Sequence, residues 1–202
     1  MAIDRKDGLA FDLSGIRGEV IRDESTYSGV MVHISARLAS ANINFHVDVN
    51  FGDPIYPKPT STALPMLLGG EIEVLAYPLS MLLSEKIVTA IARGIANTRW
   101  RDLSDIASIA QSQVILGGEL VAALETVSTY RSVELLPLSR ALSGMSMTAQ
   151  PKWTIWRKKQ RLENTLPESF DELLSSVIRF VDPAIVGNIM RLTWSPVNRT
   201  WS

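Results

Sequence analysis

LAYPLSMLLSEKIVTAIARGIANTRWRDLSDI, residues Leu75–Ile106, joins two amphipathic segments through a short turn. Pro78 suits the first turn of a helix, where its missing N–H costs nothing. From there Leu79, Leu82, Leu83, Ile87, Ala90 and Ile91 recur at helical spacing. At about 100° per residue, Lys86 and Arg93 fall about 20° apart, and Leu79, Leu82 and Ala90 lie within about 40° of Lys86. Two cations thus share an edge of the face marked for burial, where they either snorkel to water or meet an anion. Gly94 and Asn97 form the turn, and Arg99-Trp100-Arg101-Asp102-Leu103-Ser104-Asp105 opens the second helix. Asp102 and Asp105, three apart, occupy one side of it, and Asp102 also suits the positive end of the helix dipole. A lysine, two arginines and two aspartates at one helix–turn–helix suit an anionic, metal-associated ligand.

Upstream, Tyr27 to Ser40 and Ile43 to Phe51 alternate with period two and predict an antiparallel pair. Ile43, Phe45, Val47, Val49 and Phe51 point one way, toward an expected core, and Asn44, His46, Asp48 and Asn50 the other. Asp48 in mid-strand is disfavoured by propensity, which leaves a solvated sheet face or a functional carboxylate. His46 and Asp48 form a His-x-Asp pair, but two histidines and no cysteine argue against a dedicated zinc set.

The remaining chain predicts helices over Gly117 to Thr126, Val133 to Leu142, Gln150 to Asn164 and Glu168 to Val181. Ser143 to Thr148 is expected to be a flexible connection, and Asp53 to Leu68, with four prolines, a long loop beside a cleft. Together these give an α+β fold: an antiparallel sheet of three or four strands over 1–76, then five or six helices over 77–202 ending in a bundle. The net charge of −1 supplies no global attraction to nucleic acid, so any such contact must be local. One basic stretch stands out, Lys152, Arg157, Lys158, Lys159 and Arg161 interleaved with Trp153 and Trp156. It fits either an RNA surface that meets phosphates or stacks an unpaired base or, preferably, a bundle helix with its tryptophans inward and its cations solvated. The absence of cysteine suits a cytoplasmic protein, and Pro78 and Glu85-Lys86 interrupt the most apolar stretch, so no membrane span is expected.

Three segments carry a resemblance: HVDVNFGDPIYPKP (46–59), LPMLLGGEIEVLAYPLSMLLSEK (64–86) and ARGIANTRWRDLSDI (92–106). In order and spacing they resemble the AbiEii-type nucleotidyltransferase toxins of toxin–antitoxin and abortive-infection systems. The opening DGLAFD, Asn50-Phe51-Gly52-Asp53 and the closing Thr193 to Trp201 are similar to family segments in the same order. The resemblance implies a polymerase-beta-like palm followed by helices. It also implies transfer of nucleotides from a nucleoside triphosphate, with Mg²⁺, to the 3′ end of an RNA such as tRNA, and a cognate antitoxin as partner. Residue by residue, it assigns Asp48 to the acidic position of the palm beside the metal, Glu85-Lys86 to the Ser-Glu-Lys motif whose lysine contacts phosphates, and Asp102 and Asp105 to the acidic fourth motif. Arg93 and Arg99 match arginines that line the same cleft. The chain departs from the family at its start: the first fifteen residues hold Asp4, Asp7 and Asp12 but no Asp-x-Asp pair and no small-residue phosphate turn. Two readings follow. The chain is a nucleotidyltransferase toxin whose full product supplies the missing motif, or a catalytically inactive member that binds an antitoxin or an RNA.

Overall fold

Period-two alternation does produce strands in the first part of the chain. The structure, a computed structural model, describes residues 8–22, 28–52 and 54–202; Asp4, Asp7, Tyr27 and Asp53 fall outside the described residues. Two compact units are present, Met1–Asp53 and Pro54–Ser202. In the first, β1 (Leu9–Phe11), β2 (Arg17–Arg22), β3 (Ser28–Leu38) and β4 (Ala41–Asn50) form an antiparallel sheet. β3 is central: it pairs with β4 from Gly29↔Asn50 to Leu38↔Ala41, and along its other side with β2 and β1 in succession. The break between β1 and β2 is a 3-10 turn capped by Asp12, whose Oδ1 accepts from Ser14 N, Gly15 N and Ser14 Oγ at 3.1, 3.2 and 2.6 Å.

The apolar face of β4 does not reach a core. Phe45 and Val47 are 39% and 45% exposed, and Ile43 and Phe51 are exposed as well. Burying a sheet face takes a second layer, and the described residues of this unit contain no helix beyond the 3-10 turn.

The second unit opens with a hairpin, β5 (Thr60–Pro65) and β6 (Glu71–Ala76), so the loop expected up to Leu68 is in part a strand. Its turn closes through Gly69 N to the Met66 carbonyl and needs Gly69 and Gly70 at φ of 87° and 82°. The strand-to-helix change at Ala76–Tyr77 lies inside this unit. Six helices follow: α1 (Leu79–Arg93), α2 (Trp100–Ser112), α3 (Gly117–Arg131), α4 (Leu138–Ala141), α5 (Met145–Lys159) and α6 (Phe170–Ile185). Three short strands, β7 (Ile115–Leu116), β8 (Thr193–Ser195) and β9 (Thr200–Trp201), make a small sheet.

α6 organises the core, packing against α2, α3, α4 and α5 through Phe170, Leu173, Leu174, Val177, Phe180, Val181 and Ala184. Its start is set by sequence, since the Ser169 hydroxyl accepts from Glu172 N at 3.2 Å in an S-x-x-E arrangement. Trp194 and Trp201 close over its far end, donating to the Ala110 and Phe180 carbonyls at 2.6 and 3.0 Å.

The helix boundaries differ from the periodic pattern where proline and glycine intervene. Val133 to Leu142 contracts to α4, because Pro137 allows a helix to start but not to continue across it. Ser143 to Thr148 is no flexible connection: Gly144, at φ 79°, makes the turn, and α5 begins at Met145, whose side chain is buried. α5 stops at Lys159 rather than Asn164, and Arg161 takes a positive φ of 58° just beyond it. α6 runs four residues past Val181, through Pro183. No helix of the described residues is long and apolar enough to cross a membrane.

Candidate functional site

α1 buries Ser80, Met81, Leu83, Ser84, Ile87, Val88, Ala90 and Ile91. The buried face is therefore centred away from Lys86, and Leu82, expected in the stripe, is exposed. The two serines account for the shift. Ser84 Oγ donates to the Ser80 carbonyl at 2.8 Å, so a polar residue whose hydroxyl is satisfied by its own helix sits in the core. Lys86 lies at the margin, with its side chain 16% exposed.

From that margin Lys86 reaches α2. Its Nζ donates to Asp102 Oδ1 at 3.0 Å and to Asp105 Oδ2 at 2.8 Å, so the three-residue spacing of the aspartates brings both carboxylates onto one ammonium. Asp102 is 16% exposed and Asp105 42%, which makes the triad dry on one side and wet on the other. Burial pushes the Lys86 pKa down, but the hydrogen bonds and negative charges of Asp105 and Asp102 outweigh it and hold the ammonium above its ordinary value. The turn feeding α2 is set by Asn97, buried, whose Oδ1 accepts from Arg99 N at 2.9 Å. Asp102 in the first turn of α2 also faces the positive end of its dipole.

Glu85, one residue before Lys86, turns to other neighbours: its Oε1 accepts from Tyr77 Oη at 2.6 Å and lies 3.9 Å from Arg131 Nη2 on α3. Arg131 Nη1 in turn donates to Thr89 Oγ1 at 3.0 Å. Tyr77, Thr89 and Arg131 carry no signal in the apolar spacing, because Arg131 is joined to Thr89 and Glu85 across 42 and 46 positions and only packing brings them together. Asp182 was missed for the same reason; it accepts from Leu138 N at 2.7 Å and so starts α4.

Arg93 and Arg99 are exposed, at the last turn of α1 and at the N-cap of α2. Asp48 and His46 belong to the other unit. Both are exposed on the polar face of the sheet, where His46 is paired with His33 and Asp48 with Met31. The His33 and His46 rings lie 6.2 Å apart, and His33 Nε2 is 3.6 Å from Glu19 Oε2.

The helix with the basic stretch adopts the bundle arrangement. Trp153 is fully buried, donates Nε1 to the Pro167 carbonyl at 3.2 Å and stacks on Trp156 at 5.3 Å. Arg157 donates to the Leu166 carbonyl at 2.9 Å, while Lys152, Lys158, Lys159 and Arg161 are exposed.

The family model described as the nucleotidyl transferase AbiEii toxin of type IV toxin–antitoxin systems matches residues 2–176. The chain belongs to the AbiEii family. AbiEii members are nucleotidyltransferase toxins of type IV systems, and the mixed sheet-and-helix architecture suits a partial nucleotidyltransferase fold followed by helices. Searches of curated proteins and of solved structures gave no match.

Nucleotidyltransferases generally use a nucleoside triphosphate and a divalent metal. Among the described residues of this AbiEii chain the donors do not fit a magnesium cradle: no three His, Asp or Glu groups converge. Magnesium needs carboxylate oxygens open to it, and Asp102 Oδ1 and Asp105 Oδ2 each already accept from Lys86.

Proposed function

We propose that this AbiEii chain transfers a nucleotide from a nucleoside triphosphate to the 3′ end of an RNA, with tRNA as acceptor, in the cytoplasm and under the control of a cognate antitoxin. The observation that carries the proposal is the Lys86 ammonium, held 3.0 and 2.8 Å from two carboxylates on a neighbouring helix. In such a transfer the 3′ hydroxyl of the acceptor gives its proton to solvent as its oxygen attacks the α-phosphorus, an oxygen–phosphorus bond forms, and the bond to pyrophosphate breaks as charge accumulates on the leaving group. A lysine ammonium has three N–H donors. Two of those on Lys86 are taken, and the third is available to a phosphoryl oxygen. Asp102 and Asp105 fix the ammonium so that little reorganisation accompanies the charge that develops. Arg93 and Arg99 add positive charge for the triphosphate, and Asp48 is the acidic residue of the palm.

Incorporation of labelled nucleotide into tRNA tests the proposal. Lys86→Met should reduce incorporation at least 100-fold, Lys86→Arg should retain part of it, and Asp48→Asn should lower it; full activity in Lys86→Met would refute the role of Lys86. A second reading, a non-catalytic member that binds an RNA end or an antitoxin, is favoured by the commitment of both α2 carboxylates to Lys86. It is supported by partner binding without any incorporation, and a clear incorporation signal excludes it.

A further inference from the structure

The start of α2 and the end of α5 meet. Arg101 Nη2 lies 3.5 Å from Gln160 Oε1, and beneath that pair Trp100 packs edge-on to Phe170 at 5.3 Å, which in turn packs on Trp153 at 5.7 Å. The aromatic cluster fixes the two ends in register and leaves their charged side chains outside. Residues 157–163 hold four cations against Glu163 alone, in a chain whose net charge is −1. Lys158, Lys159 and Arg161 are exposed and, among the described residues, form no ion pair.

The helix dipole accounts for cations in the last turn of α5, where the carbonyl ends are negative. It does not account for Arg101, placed at the positive end of α2, nor for Arg161, beyond the helix. Such a concentration of positive charge is uncompensated by the protein and suits an external polyanion. Arg101 also shares the first turn of α2 with Asp102, a partner of Lys86, so the basic surface and the site are built on the same turn.

The tryptophans decide what is read. Trp153 is buried and half-buried Trp156 has a ring face covered by it, so the exposed groups of this surface are chiefly its cations. What remains are cations for phosphate oxygens, which position a nucleic acid without reading its sequence. We infer that the surface formed by Arg101, Lys158, Lys159 and Arg161 docks the phosphate backbone of an RNA stem next to Lys86. This inference rests on the proposed transfer to RNA, and names where the acceptor lies.

The test is binding of the full chain to a fluorescein-labelled RNA stem-loop by anisotropy, without nucleotide, from 50 to 300 mM KCl. The triple variant Lys158→Gln/Lys159→Gln/Arg161→Gln is compared with Arg191→Gln, an exposed cation elsewhere in the same unit. Neutralising one cation that meets a phosphate should lower the salt slope by about 0.7–0.9, so the triple variant should show a slope smaller by about 2 to 3 and an affinity at least tenfold weaker at 50 mM salt. Arg191→Gln should match the parent, stems of different sequence should bind alike, and circular dichroism should show all variants folded. Unchanged affinity and slope in the triple variant overturn the inference, as does absence of binding by the parent chain. Binding of polyglutamate as tight as that of RNA also overturns it, in favour of an acidic protein partner. Because no nucleotide is present, binding that persists in a chain without incorporation leaves the docking surface standing and removes only the proposed transfer.

Discussion

Lys86→Met isolates the electrostatic problem at the α1–α2 junction. The substitution keeps the length of the side chain and removes the charge, leaving Asp102 and Asp105 facing each other across a site in which Asp102 is 16% exposed. Removing one member of a fully buried ion pair costs about 3–5 kcal/mol. Here Asp105 is 42% exposed and water screens part of the penalty, so about 2–3 kcal/mol is expected. For a unit of this size that lowers the melting temperature by about 5–10 °C. Tryptophan fluorescence is a suitable probe, since all five tryptophans lie between residues 100 and 201 and report the second unit alone. The decisive comparison is Lys86→Met/Asp102→Asn/Asp105→Asn. With every charge removed no carboxylate is left uncompensated, and stability should return to within about 1 kcal/mol of the parent. Nucleotide incorporation should be at least 100-fold below the parent in both. If Lys86→Met melts within about 2 °C of the parent, or the neutral triple variant is the less stable of the two, the carboxylates do not depend on Lys86 and the assigned role of the triad is wrong.

Three further outcomes follow from the same structure. The Lys86 pKa is raised on folding, so the stability it contributes is complete below its ordinary value of 10.5 and is lost as pH rises through the higher folded value; the gap between parent and Lys86→Met in urea titrations should be constant from pH 7 to 10 and narrow above that. Gly117→Ala puts a methyl group 2.0 Å from the Ile189 carbonyl oxygen, where backbone must move, and should cost about 3 kcal/mol or more, read as loss of the soluble fold or a large fall in melting temperature. Asp182→Ala removes the acceptor for Leu138 N and should cost about 1–2 kcal/mol in chemical denaturation, whereas Asp182→Asn, which keeps one acceptor, should cost less.

The parts of this fold legible in sequence are those written locally. The spacing of Leu79 to Ile91 places α1, the turn formers Gly94 and Asn97 separate it from α2, and Asp102 and Asp105, three apart, do fall on one side and meet Lys86. The inward tryptophans of α5 were likewise the preferred reading of their helical spacing. Four features lay outside what the apolar spacing registers. Buried Ser80 and Ser84 look polar in a hydropathy pattern, so the predicted stripe was rotated toward Leu82, which is exposed. Gly144 and Pro137 moved helix ends against the periodicity, which registers apolar spacing and not backbone conformation. The apolar side of β4 obeys its alternation, but alternation says which side is apolar and not whether anything covers it. Links such as Glu85–Arg131 and Asp182–Leu138 exist only once distant helices pack.

Ser84, Glu85 and Lys86 project at successive steps of about 100° around α1: Ser84 is buried in the core of the unit, Glu85 meets Tyr77 and α3, and Lys86 meets α2. A helix held from three directions within one turn has lost the freedom to roll about its own axis. Any rearrangement that accompanies ligand binding must then carry α1, α2 and the end of α3 as one rigid block, or break a charged link to do otherwise. Slow, local shape change in this unit is accordingly confined to segments outside that block, with the β5–β6 hairpin, a lone two-stranded ribbon, the natural place to look for it by hydrogen exchange.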